Sequence, residues 1–287
     1  MRRFTTAVLA CGLLALAAAP LLGQVADGDR RWARRADGAR GAVAAAAPVD
    51  AAIAAYRAGL ERNPFDLEAR WKLMRALRFK GVYVAQSEAE KKAIFQDAKR
   101  VGSEGIQQLD RYLSSRRAGP IVKGDIGPIV AVLREIPHTG ELLYWDAANW
   151  GEWALVFGKF AAARQGVADR IRQEATIVIN MDPKIEEGGG ARILGRLHHQ
   201  TPRIPLITGW ASNAEAVKFL EKSAALDPKN KLTQLFLAEA LADHKSRGRA
   251  AVILRGIIAD FNDPLYAVED AAVQQEARRL LAEWGPR

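Results

Sequence analysis

A single cysteine, Cys11, and four histidines in 287 residues leave this chain almost without thiol or imidazole chemistry. No disulfide can join two parts of it, and a cysteine-based metal site has no ligand set. His198 and His199 are adjacent, so on a helix they point about 100° apart and do not grip one metal. His138 and His244 stand alone, and no His-x-x-x-His pair exists. Without a nucleophile elbow, covalent catalysis has no candidate. The glycines at 188, 189 and 190 do not make a dinucleotide fingerprint, because the sixth position counted from Gly188 is Ile193. No Gly-Lys-Ser/Thr follows, and Glu186 and Glu187 would repel phosphate. Neither enzymatic activity nor a bound cofactor is expected.

Excess positive charge is scarcer than the total of +9 suggests. Seven basic and three acidic residues precede position 49, which leaves 35 basic and 30 acidic in the rest, a net of +5. That is too mild for a nucleic-acid surface, and no nucleic-acid partner is expected. The basic cluster Arg30, Arg31, Arg34, Arg35 and Arg40 lies in an Ala/Gly-rich stretch that reads as a flexible basic linker over residues 24–48. It is expected to be solvated, with anionic lipid headgroups as the alternative contact.

Only one long apolar run exists, at the start. Arg2 and Arg3 precede the 19 residues 4–22, which are mostly apolar. This reads as a signal peptide over residues 1–23, with small residues favouring a cut after Gly23 or Ala26, and so as an exported, periplasmic protein. Two alternatives stay open: an uncleaved anchor, since the run nearly spans a bilayer, and lipidation of Cys11 in the lipobox-like Val8-Leu9-Ala10-Cys11. Only seven residues of the run, 4–10, precede Cys11.

What the chain does have is helix-forming text. Hydrophobic residues make up 49% and charged residues 26%, rich in Ala, Leu, Arg and Glu. From residue 49 to 287 the pattern is helix, turn, helix. Ala52, Tyr56, Gly59 and Pro64 have the small, aromatic, small and proline spacing of a tetratricopeptide second helix, and Ala216, Leu220, Ser223 and Pro228 repeat it. Intervals of 119, 45 and 36 residues between Pro64, Pro183, Pro228 and Pro264 are uneven. The fold expected is therefore all-α, an irregular tetratricopeptide-like solenoid of helical hairpins. Leu67, Trp71, Met74 and Leu77 form one apolar stripe, and Ile94, Ala98, Val101, Gly105, Leu109 and Tyr112 a longer one. Ser87 with Glu90 and Ser212 with Glu215 have capping-box spacing, while Asn230, Ser246 and Asp263 are further caps. Residues 116–137, punctuated by Gly and Pro, hold at most a short helix over 129–135.

The block from 142 to 195 is denser in information. Tyr144, Trp145, Trp150 and Trp153 fall on a helix predicted over 140–157 that is apolar nearly all round, hence central. Core packing accounts for each Trp. Asn149 is different, because a buried amide must find partners and can serve a polar ligand. Gly188 to Gly190 give a sharp entry into a helix over 191–200, whose N-terminal donors, with Arg192 beside them, suit a carboxylate; close helix packing is the alternative.

Several motifs in this region occur in a shared order: Leu143-Tyr144-Trp145-Asp146-Ala147-Ala148-Asn149-Trp150-Gly151, then Met181-Asp182-Pro183, Gly188-Gly189-x-x-Arg192-x-x-Gly195, a proline-containing loop, and residues 214–228. Together they resemble the T component of TRAP transporters, the TatT family of tetratricopeptide-like periplasmic lipoproteins. The resemblance covers about residues 50–261, and its specific part is 142–228. It implies a helical auxiliary protein of a tripartite ATP-independent periplasmic transport system. The expected partners are the substrate-binding P protein and a small organic-acid or hydrophobic ligand in a central cavity. By position, Tyr144, Trp145, Asn149, Trp150, Gly188, Gly189, Arg192 and Gly195 match the family's sites. The chain departs where Thr208-Gly209-Trp210-Ala211 stands in place of a Gly-Gly pair, and in its weak lipobox. A generic cell-envelope scaffold gripping a protein partner, and a homo-oligomer, stay open beside this reading.

Overall fold

The structure, a computed structural model, describes residues 23–204 and 208–285. The expected signal segment up to residue 22 and the Cys11 motif lie outside the described residues. Among those described, thirteen α-helices and no strand are present. In chain order they are α1 (Gly23–Trp32), α2 (Ala46–Arg62), α3 (Leu67–Phe79), α4 (Glu88–Ser115), α5 (Ile126–Leu133), α6 (Thr139–Phe157) and α7 (Lys159–Arg164). Then come α8 (Val167–Met181), α9 (Gly189–Gln200), α10 (Asn213–Leu226), α11 (Lys231–Asp243), α12 (Arg247–Ala259) and α13 (Ala267–Trp284). The chain is all-α. None of the described helices is long and apolar enough to cross a membrane.

The helix starts follow from local hydrogen bonding. Ser87 and Glu90 close a full capping box at α4. At α10 the Ser212 hydroxyl accepts from the Glu215 amide at 3.5 Å, the first arm of the second box. Asn230 caps α11, whereas the Ser246 side chain makes no capping bond to α12. Asp263 accepts from Leu265 and is followed by Pro264, but what it starts is a single 3₁₀ turn ahead of α13. In the Gly/Pro-rich excursion, α5 begins three residues before the expected start. Asp125 caps it, and Pro128 is tolerated there because a first-turn amide needs no helical partner.

Two sets of helices alternate along the chain. α1, α3, α6, α9, α11 and α13 touch one another in succession, while α2, α4, α8, α10 and α12 each bridge two members of that series. The positions matched in sequence take matching places: Ala52, Tyr56 and Gly59 on α2, and Ala216, Leu220 and Ser223 on α10, are all buried. One core runs from α1 through α6 and reaches Val268 on α13; a second joins α10 to α13, and a third surrounds Trp150 and Trp153.

The flexible linker expected over residues 24–48 is corrected by this arrangement. Residues 23–32 form α1, which lies against α2. Gly28 packs so closely on Tyr56 that a Cβ there would sit 2.3 Å from the ring. The Tyr56 hydroxyl donates to Asp29 at 2.8 Å, and Asp29 also pairs with Lys72 at 2.7 Å. Arg30 and Arg31 pair with Asp27, and Arg34 with Asp37. Arg35 is buried and reaches Glu269 on α13 at 3.0 Å, joining the start of the described chain to its last helix. Composition alone reads such a stretch as a tether. The nearby aspartates and one glycine at a contact point dock it instead. Gly28→Leu is expected to undock α1, costing about 1–3 kcal/mol by overpacking. Limited proteolysis should then cut residues 23–45 faster than in wild type, and an unchanged cleavage rate would contradict the docking.

Candidate functional site

α6 is the axis on which the predicted site residues hang. Its residues from Leu142 to Ala147 are buried, as expected of a helix apolar on nearly every side. It touches α3, α4, α8 and α9. The candidates divide between two of its faces.

On one face Tyr144 and Trp145 meet the turn that enters α9. Glu186, Glu187 and Gly188 have φ of 49°, 57° and 82°, three successive left-handed residues. Such a turn is costly for the two glutamates, so it persists only because tertiary contacts hold it. The Trp145 indole donates to Glu186 Oε1 at 2.9 Å, and Arg192 donates to the Glu186 carbonyl at 3.0 Å. Gly189 abuts the Tyr144 ring, where an added Cβ would lie 2.4 Å from Cε2, and Gly195 abuts Leu220 with 2.5 Å left for one. Close packing thus accounts for both glycines. Burial, only partly offset by the Trp145 hydrogen bond, raises the Glu186 carboxyl above the usual carboxylate range.

Of the two readings of Arg192, a carboxylate contact or close helix packing, its surroundings match the packing one. Its guanidinium is buried and donates to Tyr144 Oη at 2.9 Å and Thr233 Oγ1 at 3.2 Å as well as to the Glu186 carbonyl. It fastens α6, α9 and α11 together. Three protein acceptors hold what an anion would need.

Asn149 and Trp150 lie further along α6 and serve different neighbours. The fully buried Asn149 donates to the Trp145 carbonyl at 2.8 Å and to Met74 O of α3 at 3.2 Å, so its donors stitch two helices rather than meet a ligand. Trp150 packs edge-on against Trp153, with Lys99 at 4.5 Å and the Arg170 guanidinium at 4.8 Å from its centre. Packing is the role the geometry gives it.

Beside these residues sits a buried acid pair that the sequence reading did not single out. Asp146 of α6 and Glu174 of α8 have no accessible surface, and Arg170 serves both, with its Nε 3.0 Å from Glu174 Oε1. One guanidinium cannot neutralise two carboxylates. Burial first, and then the Asp146 charge, push the Glu174 carboxyl well above the usual range. Asp146 Oδ1 is buried with no hydrogen-bond partner among the described residues. Gly102 of α4 makes the room, since a Cβ there would lie 1.9 Å from Asp146 Oδ1. The available sequence signal was an acid on each of two helix faces that are otherwise apolar.

The successive helices also carry charged side chains that face one another. Arg78 of α3 pairs with Glu152 of α6 at 2.6 Å, both partly accessible to solvent although burial is the largest influence on Arg78. Arg35 pairs with Glu269. Arg75, one turn before Arg78, differs from both. Its guanidinium carbon lies 4.4 Å from the centre of Trp32 and 4.9 Å from that of Trp71. Among the described residues it forms no ion pair, and its Nε is buried without a partner. Burial pulls it below the ordinary arginine range, with Tyr56 and Glu186 only partly opposing. Of the stripe predicted on this helix, Met74 and Leu77 are core, but Trp71 is half-buried beside Arg75. The missed signal was an arginine four residues after a tryptophan at the edge of an apolar stripe.

No protein-family model matches this chain, and no curated protein does either.

Proposed function

We propose that this protein is a non-enzymatic, exported accessory component of a tripartite ATP-independent periplasmic transport system. In this reading it binds the system's substrate-binding protein and holds a small organic acid among its successive helices. The motif order that resembles the T components supports the partner, and the alternation of helices supports a tetratricopeptide-like repeat. The observation that carries the ligand is Arg75. Arg78 and Arg35 have a carboxylate each and Arg192 has three acceptors, whereas Arg75, beside the Tyr56 hydroxyl, has no carboxylate partner among the described residues. A desolvated cation without a counter-ion is unfavourable unless something brings one.

The test is native mass spectrometry of the purified protein, together with a binding titration against the P protein encoded beside it. A co-purified acid and a saturable complex with the P protein are the expected results. If no P or membrane transport component neighbours the gene, and neither acid nor P protein binds, the transport reading fails and a cell-envelope scaffold replaces it.

A further inference from the structure

Two buried donor atoms on successive turns of α3 have no hydrogen-bond partner among the described residues. Arg75 Nε and Trp71 Nε1 both lack an acceptor, and both belong to the same exposed-edge stripe of α3, one helical turn apart. Glu186, the acid whose charge acts on Arg75, already accepts from Trp145, and the Tyr56 hydroxyl beside Arg75 donates to Asp29. Trp32, Trp71 and Arg75 as residues nevertheless remain half-buried rather than fully buried. Two indole rings lie within 5 Å of the guanidinium carbon, and the N–H groups of a guanidinium point outward along the edge of its plane. A planar carboxylate fits that edge with two parallel hydrogen bonds. A tetrahedral oxoanion, needing donors out of the plane, fits it less well, and any apolar body attached to the carboxylate would lie against the indoles.

We propose that Arg75, flanked by Trp32 and Trp71, is a binding site for the carboxylate of a small organic acid with an apolar body, and that Trp71 Nε1 supplies a further donor. The assignment rests on the interior holding a ligand and is independent of the transport partner.

Benzoate and hexanoate are the probes, read by intrinsic tryptophan emission of the whole protein, with benzamide and inorganic phosphate as controls. Benzoate or hexanoate should shift the emission saturably, and benzamide and phosphate should not. Arg75→Met should weaken binding by about ten- to a hundredfold, the scale of a lost charge-assisted pair of hydrogen bonds. Trp71→Phe keeps a ring and removes the N–H, and should weaken binding by about three- to tenfold. Without ligand, the melting temperature of Arg75→Met should equal or exceed that of wild type, because an uncompensated buried charge has been removed. A merely structural Arg75 would lower it. Should Arg75→Met not fold, Arg75→Lys and Trp71→Phe decide. The site is overturned if both bind as wild type does, if Arg75→Met folds and binds normally, or if neither acid binds wild type at all. Loss of acid binding in Arg75→Met with the P protein still bound leaves the transport reading standing. Acid binding with no P-protein complex supports the site and removes the transport partner.

Discussion

Arg170→Met lowers the stability of the folded protein by about 3–5 kcal/mol, seen as a fall in the urea midpoint with little change in slope. The reason is the position of Asp146. Its carboxylate has no accessible surface, and Arg170 is the cation that reaches it. Methionine fills much of the space but offers no charge, so either Asp146 stays ionised in an apolar interior or it takes up a proton. Both are unfavourable. A change below about 1 kcal/mol, the range of an exposed pair, would show that the cluster is hydrated and the reading of a sealed acid pair wrong.

Glu174 tests the other half of the cluster. Its folded-state pKa lies above that of the unfolded chain, chiefly through burial. The stability it contributes is therefore complete below the unfolded value and is lost as pH rises through the folded one. Wild-type stability should decline across that interval. Glu174→Gln, which keeps a neutral hydrogen-bonding group, should flatten the decline and match wild type only at acid pH. Urea melts at a series of pH values give both curves, and parallel curves would remove the proton from Glu174.

Arg192→Ala is the second large effect, expected at about 3 kcal/mol. Truncation leaves Tyr144 Oη, Thr233 Oγ1 and the Glu186 carbonyl without their donor, at the point where α6, α9 and α11 meet. The left-handed turn at residues 186–188 loses one of its tertiary supports, with the Trp145 and Asn230 hydrogen bonds remaining. Tyr144→Phe, which removes a single partner, should cost about 1 kcal/mol. The ratio between the two, measured by urea unfolding, separates a three-way fastener from an ordinary surface arginine. If the two variants cost the same, Arg192 acts through Tyr144 alone.

Much of the local structure was readable from the chain because its causes are local. A serine three residues before a glutamate decides the start of α4 through two hydrogen bonds within one turn. The apolar circumference of residues 140–157 called for a central helix with neighbours on both sides, and residues 142–147 of α6 are buried all round while Leu155 near its end is exposed. Gly188 and Gly189 marked a sharp entry, and the left-handed φ at Gly188 and the Tyr144 ring against Gly189 are what made glycine necessary.

The candidate site was less legible. Arg192 and Asn149 were rightly marked as polar groups in the interior, but their partners come from residues 41 and 75 positions away. Spacing along the sequence says nothing about such distances. Arg75 carried no motif, and only the folded chain places Trp32 beside it. Residues 24–48 show the same limit from the other side, since a composition that reads as a solvated tether ends with Arg35 against Glu269, 234 positions on.

By itself, then, the sequence determined that this protein is helical, where its major helices begin, and which helix is surrounded, since each depends on hydrogen bonds and periodicity within a few turns. The tertiary structure alone decided which buried charges are compensated. Arg78, Arg35 and Arg192 find acceptors, Asp146 and Glu174 share one cation, and Arg75 is left without a carboxylate, between two indole rings and the Tyr56 hydroxyl. Compensation depends on which distant groups are brought within a few ångströms in a medium of low polarity, and only packing sets that.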